Sequence, residues 1–131
     1  MQDLMEVRGT LPYPPSINNY WRSGVKKSRS TGKVCKTIGK TEKCLLYMRE
    51  VYWMMKQQKI EQLIGTSFRL ELYIYPPDKR RRDIDNLCKG AIDSLQFSEV
   101  IVDDFYIDEL YVKRCDERVG GEVEFILMRL I

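Results

Sequence analysis

Residues 66–76 constrain the fold more than any other segment. Thr66, Phe68, Leu70, Leu72 and Ile74 alternate with Ser67, Arg69, Glu71, Tyr73 and Tyr75. A period of two puts the apolar set on one face of an extended strand, and that face must be covered. Pro76 and Pro77 stop the strand, because neither can donate to a ladder. Residues 107–115 and 122–130 predict two further strands, and Gly120-Gly121 between them predicts a hairpin turn. Residues 4–11 predict a short first strand, ended by Pro12, Pro14 and Pro15.

Two other stretches have the helical period. Over residues 41–64, Leu45, Met48, Tyr52 and Met55 form an apolar stripe widened by Cys44, Val51 and Trp53. Thr41 is placed to cap this helix and Gly65 to end it. The stripe is broad enough for a core face or a dimer contact. Over residues 84–96, Ile84, Leu87, Cys88, Ala91, Ile92 and Leu95 recur on one face. The order β-loop-α-β-α-β-β predicts an α+β fold, a small mixed β-sheet packed by two helices. At 131 residues, with no repeat or linker, residues 1–131 read as a single domain.

The residue inventory prunes the chemistry. There is no histidine, and Cys35, Cys44, Cys88 and Cys115 include no C-x-x-C pair. That argues against a Cys/His zinc site and excludes Ser-His-Asp and Cys-His catalysis. Reduced, buried thiols in a cytosol are expected rather than a disulfide framework. No apolar run suits a signal peptide or a membrane span, so a cytoplasmic protein is expected. The net charge is only +3, but residues 22–40 hold seven cations and no acid. With Ser, Thr and Gly between them they read as a mobile basic loop facing phosphate, with Lys26, Lys27 and Arg29 as DNA contacts.

The segment from Pro77 to Lys89 carries the chemistry. Lys79, Arg80, Arg81 and Arg82 run directly into Asp83 and Asp85, at the start of the 84–96 helix. A capped helix with a surface Asp85–Lys89 pair would explain one acid there, not the arginine run beside two. Clustered carboxylates suit a hard divalent cation such as Mg²⁺, and guanidinium groups suit phosphate oxygens. Asp85, Lys89 and Asp93 share the face opposite the apolar one. A further acidic pair, Asp103-Asp104, follows Val100-Ile101-Val102. If that segment folds back beside the helix start, one of the two joins Asp83 and Asp85.

Arg80-Arg81-Arg82-Asp83-Ile84-Asp85-Asn86-Leu87-x-Lys89, followed by Asp103-Asp104, resembles the RusA family of Holliday junction resolvases. Pro14-Pro15-Ser16-x-Asn18 resembles that family's opening motif, and Gly120-Gly121 before a last strand also fits. The resemblance implies a homodimer that nicks four-way DNA junctions in pairs, with Mg²⁺ or Mn²⁺, in recombination and repair. It implies a cytoplasmic protein of bacteria or their phages. It places the metal-binding and catalytic carboxylates on Asp83, Asp85 and Asp104, with Asp103 supporting, and the essential lysine on Lys89. The 22–40 segment has no detailed counterpart in the pattern. The residues alone leave two alternatives: a non-catalytic nucleic-acid-binding module, or a nuclease for other branched DNA.

Overall fold

The computed structural model describes residues 5–16, 21–27 and 29–130, with 21–28 and 34–38 lacking side-chain description. Its elements run β1 (Glu6–Pro12), β2 (Trp21–Lys27), β3 (Val34–Lys40), α1 (Glu42–Gln57), β4 (Phe68–Tyr75), α2 (Asp85–Phe97), a 3₁₀ turn (Asp104–Tyr106), β5 (Ile107–Arg114) and β6 (Glu122–Arg129). The main sheet has the order β1-β6-β4-β5, and β2 and β3 form a separate antiparallel pair. The sheet is mixed: β4 runs parallel to β5 and antiparallel to β6.

The alternation of β4 becomes a burial pattern. Phe68, Leu70, Leu72 and Ile74 are buried, and the residues between them are not. Leu70 lies opposite Leu127, Leu72 opposite Phe125 and Ile74 opposite Val123, so one face of the sheet is a continuous apolar surface. Tyr47, Val51 and Met55 of α1 and Leu87, Ala91 and Leu95 of α2 cover it. Each of the Val, Leu, Met and Phe side chains among these contributes roughly 1.5–3 kcal/mol by leaving water. The expected α+β architecture, a mixed sheet under two helices, is the one found.

Three expectations change. The segment 22–40 is not a loop throughout: its backbone forms the β2–β3 hairpin, turning through Gly32 at φ 70°. Lysines interleaved with Ser, Thr and Gly masked a strand pair whose β-formers are few: Trp21, Val25, Val34, Thr37 and Ile38. Strands β5 and β6 are not hairpin partners, because β4 lies between them. After α2 the chain returns parallel to β4, so the 115–121 connection must cross the end of that strand. Cys115 N–H donates to Ile74 C=O, Arg118 N–H donates to Pro76 C=O, and the Gly120-Gly121 turn closes with Gly121 N–H on Arg118 C=O.

The first helix also stops at Gln57, seven residues before the predicted end. Lys59 takes φ 56°, while Lys59 N–H donates to Lys56 C=O and Ile60 N–H to Met55 C=O. This is a Schellman cap with lysine where glycine is usual. It turns the chain so that Leu63 is fully buried, with its N–H on Val100 C=O. Within α1 the buried set is Cys44, Tyr47, Met48, Val51 and Met55, whereas Leu45 and Trp53 are exposed. Cys44, Cys88 and Cys115 are free thiols. Among the described residues no helix is long and apolar enough to cross a membrane.

Candidate active site

The opening Pro14-Pro15 and the acidic helix meet in space. A Cβ added at Gly90 of α2 would lie 3.3 Å from the Pro14 side chain, so Pro14, itself buried, packs directly on the helix. Residues 17–20, including Asn18, lie outside the described residues.

The segment between Pro77 and α2 is shaped by an acid that sequence reasoning left without a role. Asp78 Oδ1 accepts from the Arg80 backbone N–H at 2.9 Å and from Arg82 Nη1 at 2.7 Å. These bonds, the Arg82 guanidinium first, hold the Asp78 carboxyl down to about 2. Arg82 also lies 5.7 Å from the Tyr13 ring centroid, and Arg114 donates to the Arg82 carbonyl. Arg82 is therefore half-buried and engaged, while Lys79, Arg80 and Arg81 are exposed, Arg80 lying 3.8 Å from Asp78 Oδ2. No sequence signal marks Asp78 for this role, because its i,i+4 partner lies in irregular backbone.

Asp83 and Asp85 follow, both exposed. Neither carboxylate caps the helix: Ile84 is the N-cap residue and no side chain bonds there. Among the described residues neither carboxylate meets a cation or a hydrogen-bond donor, so their oxygens stay open to a ligand. Asp83 lines a cleft of about 390 Å³ with Tyr13, Arg80, Arg81, Arg82 and Arg114. On its other side it lines a second cleft with Ser16 and Asn86.

One turn further along α2, Lys89 Nζ meets Asp93 Oδ1 at 3.1 Å. Lys89 thus pairs with Asp93, not with Asp85 as a plain surface helix would have it. The chain returning through 100–104 arrives at the same place. Val100 and Ile101 are buried beneath it, and the Asp104 N–H donates to Gln96 Oε1 at 3.2 Å. Lys89, Asp93, Gln96, Asp104 and Lys40 line one cleft of about 370 Å³. Burial, with a hydrogen bond that the protonated Asp104 carboxyl donates to Asp103, pushes the Asp104 carboxyl above the usual carboxylate range, and the Lys89 charge opposes the shift. Asp103 itself faces the 3₁₀ turn, where its Oδ1 accepts from Phe105 N–H at 3.0 Å.

The structure thus joins Lys89 to Asp104 and Asp83 to the arginine run. It does not draw Asp83, Asp85 and Asp104 into one cage: among the described residues no three acidic or thiol side chains are close enough to share an ion. Of the hairpin cations, Arg29 is exposed, and the side chains of Lys26 and Lys27 lie outside the described residues. Lys40, at the end of β3, is a cation of the Asp104 cleft that sequence reasoning had counted only as part of the basic segment.

Lys79 to Asp83, Asp85, Lys89 and Asp93 lie on one strand-to-helix junction and the helix it begins, a carboxylate and cation surface of the kind that handles phosphate. Over residues 12–126 the chain matches the family model described as endodeoxyribonuclease RusA. It is 33% identical over 120 residues to the crossover junction endodeoxyribonuclease rusA of Enterobacteria phage HK97, covering 92% of each chain. Similarity to the proteins of the same description from Escherichia coli strain K12 and Enterobacteria phage 82 is 26% identity over 121 residues, again with 92% of each chain covered. The chain belongs to the RusA family.

Proposed function

We propose that this chain is a Mg²⁺-dependent endodeoxyribonuclease that resolves four-way DNA junctions by paired nicking, in recombination and repair. The observation that carries this is the convergence on α2. One helix starts with Asp83 and Asp85 behind three exposed cations and carries Lys89 to Asp104, in a chain of the RusA family.

RusA nucleases are metal-dependent, and the donors here suit a hard cation. Asp83 and Asp85 present open carboxylate oxygens, and Mg²⁺ commonly takes one or two protein carboxylates, completing its shell with water and substrate phosphate. Asp83 and Asp85 would hold the ion, with Mn²⁺ as a substitute; Asp104, which stands in the separate Lys89 cleft, would join them only if the 100–104 segment closes on the helix start. Bound there, it would supply an activated water and offset charge on the phosphate.

The chain's own residues do the rest. Lys79, Arg80 and Arg81 grip backbone phosphates, which makes binding strongly salt-dependent. Arg82, tied to Asp78, keeps the junction in the shape that presents Asp83. Lys89 places an ammonium beside Asp104, where it offsets negative charge developing on the phosphate. The β2–β3 hairpin carries Lys26, Lys27 and Arg29 in its sequence, further cations for the phosphates of a duplex arm. A homodimer would present two such sites to two strands of a symmetric junction. The exposed Leu45 and Trp53 of α1 and Phe97 of α2 support an assembly of this kind.

A labelled four-way junction, incubated with and without Mg²⁺ against excess linear duplex, tests the proposal. Paired nicks in opposing strands only when Mg²⁺ is present support it. Retarded but uncut junction in both Mg²⁺ and Mn²⁺ supports the non-catalytic binding module instead. Faster cutting of flaps than of junctions points to a nuclease for other branches.

A further inference from the structure

Lys89 is held by a residue that no motif assigns. We propose that Asp93 is a positioning residue of the cleavage site, holding the Lys89 ammonium at a fixed place beside Asp104. This rests on the reading of Lys89 and Asp104 given above.

Three observations carry it. The first is geometry. Lys89 Nζ lies 3.1 Å from Asp93 Oδ1, and the two side chains are 41% and 13% exposed. The acid is the more buried partner of the pair and the lysine the more exposed one. A lysine has many rotamers on a flexible stem, so an ammonium that must meet a phosphate in one place gains from a partner that limits its motion.

The second is that helix stability is a poor reason for the pair. An i,i+4 ion pair supports a helix only weakly, and it does so better when the acid precedes the base. Here the base precedes the acid, and Asp93 sits in the C-terminal half of α2, toward the negative end of the helix dipole. The order is wrong for the helix and right for an ammonium that must be aimed along it.

The third is that Asp104 is brought to the same cleft by an independent bond. The Gln96 side chain, three residues beyond Asp93, accepts from the Asp104 backbone N–H at 3.2 Å. Lys89 thus shares one cleft with Asp93 from its own helix and Asp104 from the returning chain, and its charge acts on Asp104. Asp93 competes for the ammonium. Without it, Lys89 would fold onto Asp104 and mask the carboxylate instead of meeting phosphate.

The test is a double-mutant cycle in single-turnover cleavage of a four-way junction, with junction affinity and thermal unfolding measured on every variant. Asp93→Asn, which keeps the side-chain shape, is expected to slow cleavage by about 10–100-fold. Junction affinity should stay within twofold and the melting temperature almost unchanged. Asp93→Glu should recover part of the rate, and Asp93→Ser repeats the comparison if the asparagine variant folds poorly. If Asp93 acts through Lys89, the Lys89→Met, Asp93→Asn double variant is no slower than Lys89→Met alone. A wild-type rate in Asp93→Asn overturns the proposal, and so do losses that multiply in the double variant. A wild-type rate in Lys89→Met instead overturns the reading of the site on which the proposal rests.

Discussion

Replacing Glu99 by glycine should stabilise the protein, by an amount that follows from how α2 ends. Glu99 sits at φ 62°, with its N–H on the Gln96 carbonyl and the Val100 N–H on the Leu95 carbonyl, both at 3.0 Å. A left-handed conformation costs an L-residue about 1–2 kcal/mol. Glycine removes that cost but gives back about 0.5–1 kcal/mol through the freedom it adds to the unfolded chain. Removing an acid from the negative end of the helix dipole adds a few tenths of a kcal/mol in the same direction. The net gain is about 0.5–1 kcal/mol. For a chain of 131 residues that raises the melting temperature by about 2–5 °C. Circular dichroism on Glu99→Gly measures it, and Glu99→Ala, which relieves the dipole but keeps the strained backbone, should show a much smaller change. A melting temperature that falls in Glu99→Gly, or an equal rise in both variants, refutes the reasoning. Cleavage at 25 °C should be unaffected, since the side chain is exposed.

Other outcomes follow from single contacts. Gly9 lies opposite Phe125 in the β1–β6 register, and a Cβ there would come within 2.6 Å of the Phe125 ring; Gly9→Ala must displace a buried ring and should cost about 1–3 kcal/mol in urea unfolding. The Tyr47 hydroxyl donates to the Pro12 carbonyl at 2.8 Å, tying α1 to the end of β1; Tyr47→Phe should lose about 0.5–1.5 kcal/mol in the same assay. Asp78 is depressed to about 2 by its bond from Arg82, so the bridge is intact above about pH 4 and is lost as the pH falls through about 2. A carboxyl NMR titration should show that midpoint, and Arg82→Gln should return it toward the ordinary value near 4.

The sequence showed its strands best where burial is one-sided. The alternation of β4 is complete because one face meets two helices and the other meets solvent, so its limits came within two residues. The partner of β5 was not legible. A glycine pair between two alternating segments looks the same whether it closes a hairpin or a crossover, and only the returning α2 puts β4 between the strands. The end of α1 was hidden because Lys59 occupies the left-handed position that usually announces itself as glycine. At the site, Asp83, Asp85 and Lys89 could be read from spacing along a helix. Asp104 could be placed only by resemblance, since the bond from its backbone to Gln96 is tertiary. Asp78 acts through bonds from the Arg80 backbone and the Arg82 side chain in irregular chain, and Gln96 through a bond from the Asp104 backbone, and neither leaves a periodic trace.

The central claim is that Asp83 and Asp85 serve chemistry rather than binding. The most direct measurement is cleavage of a labelled four-way junction in Mg²⁺ by Asp83→Asn and Asp85→Asn, with junction affinity measured on the same preparations. Cleavage should be abolished in both variants while affinity holds or rises, because each loses a negative charge beside bound phosphate. A variant that nicks the junction at the wild-type rate would contradict the account.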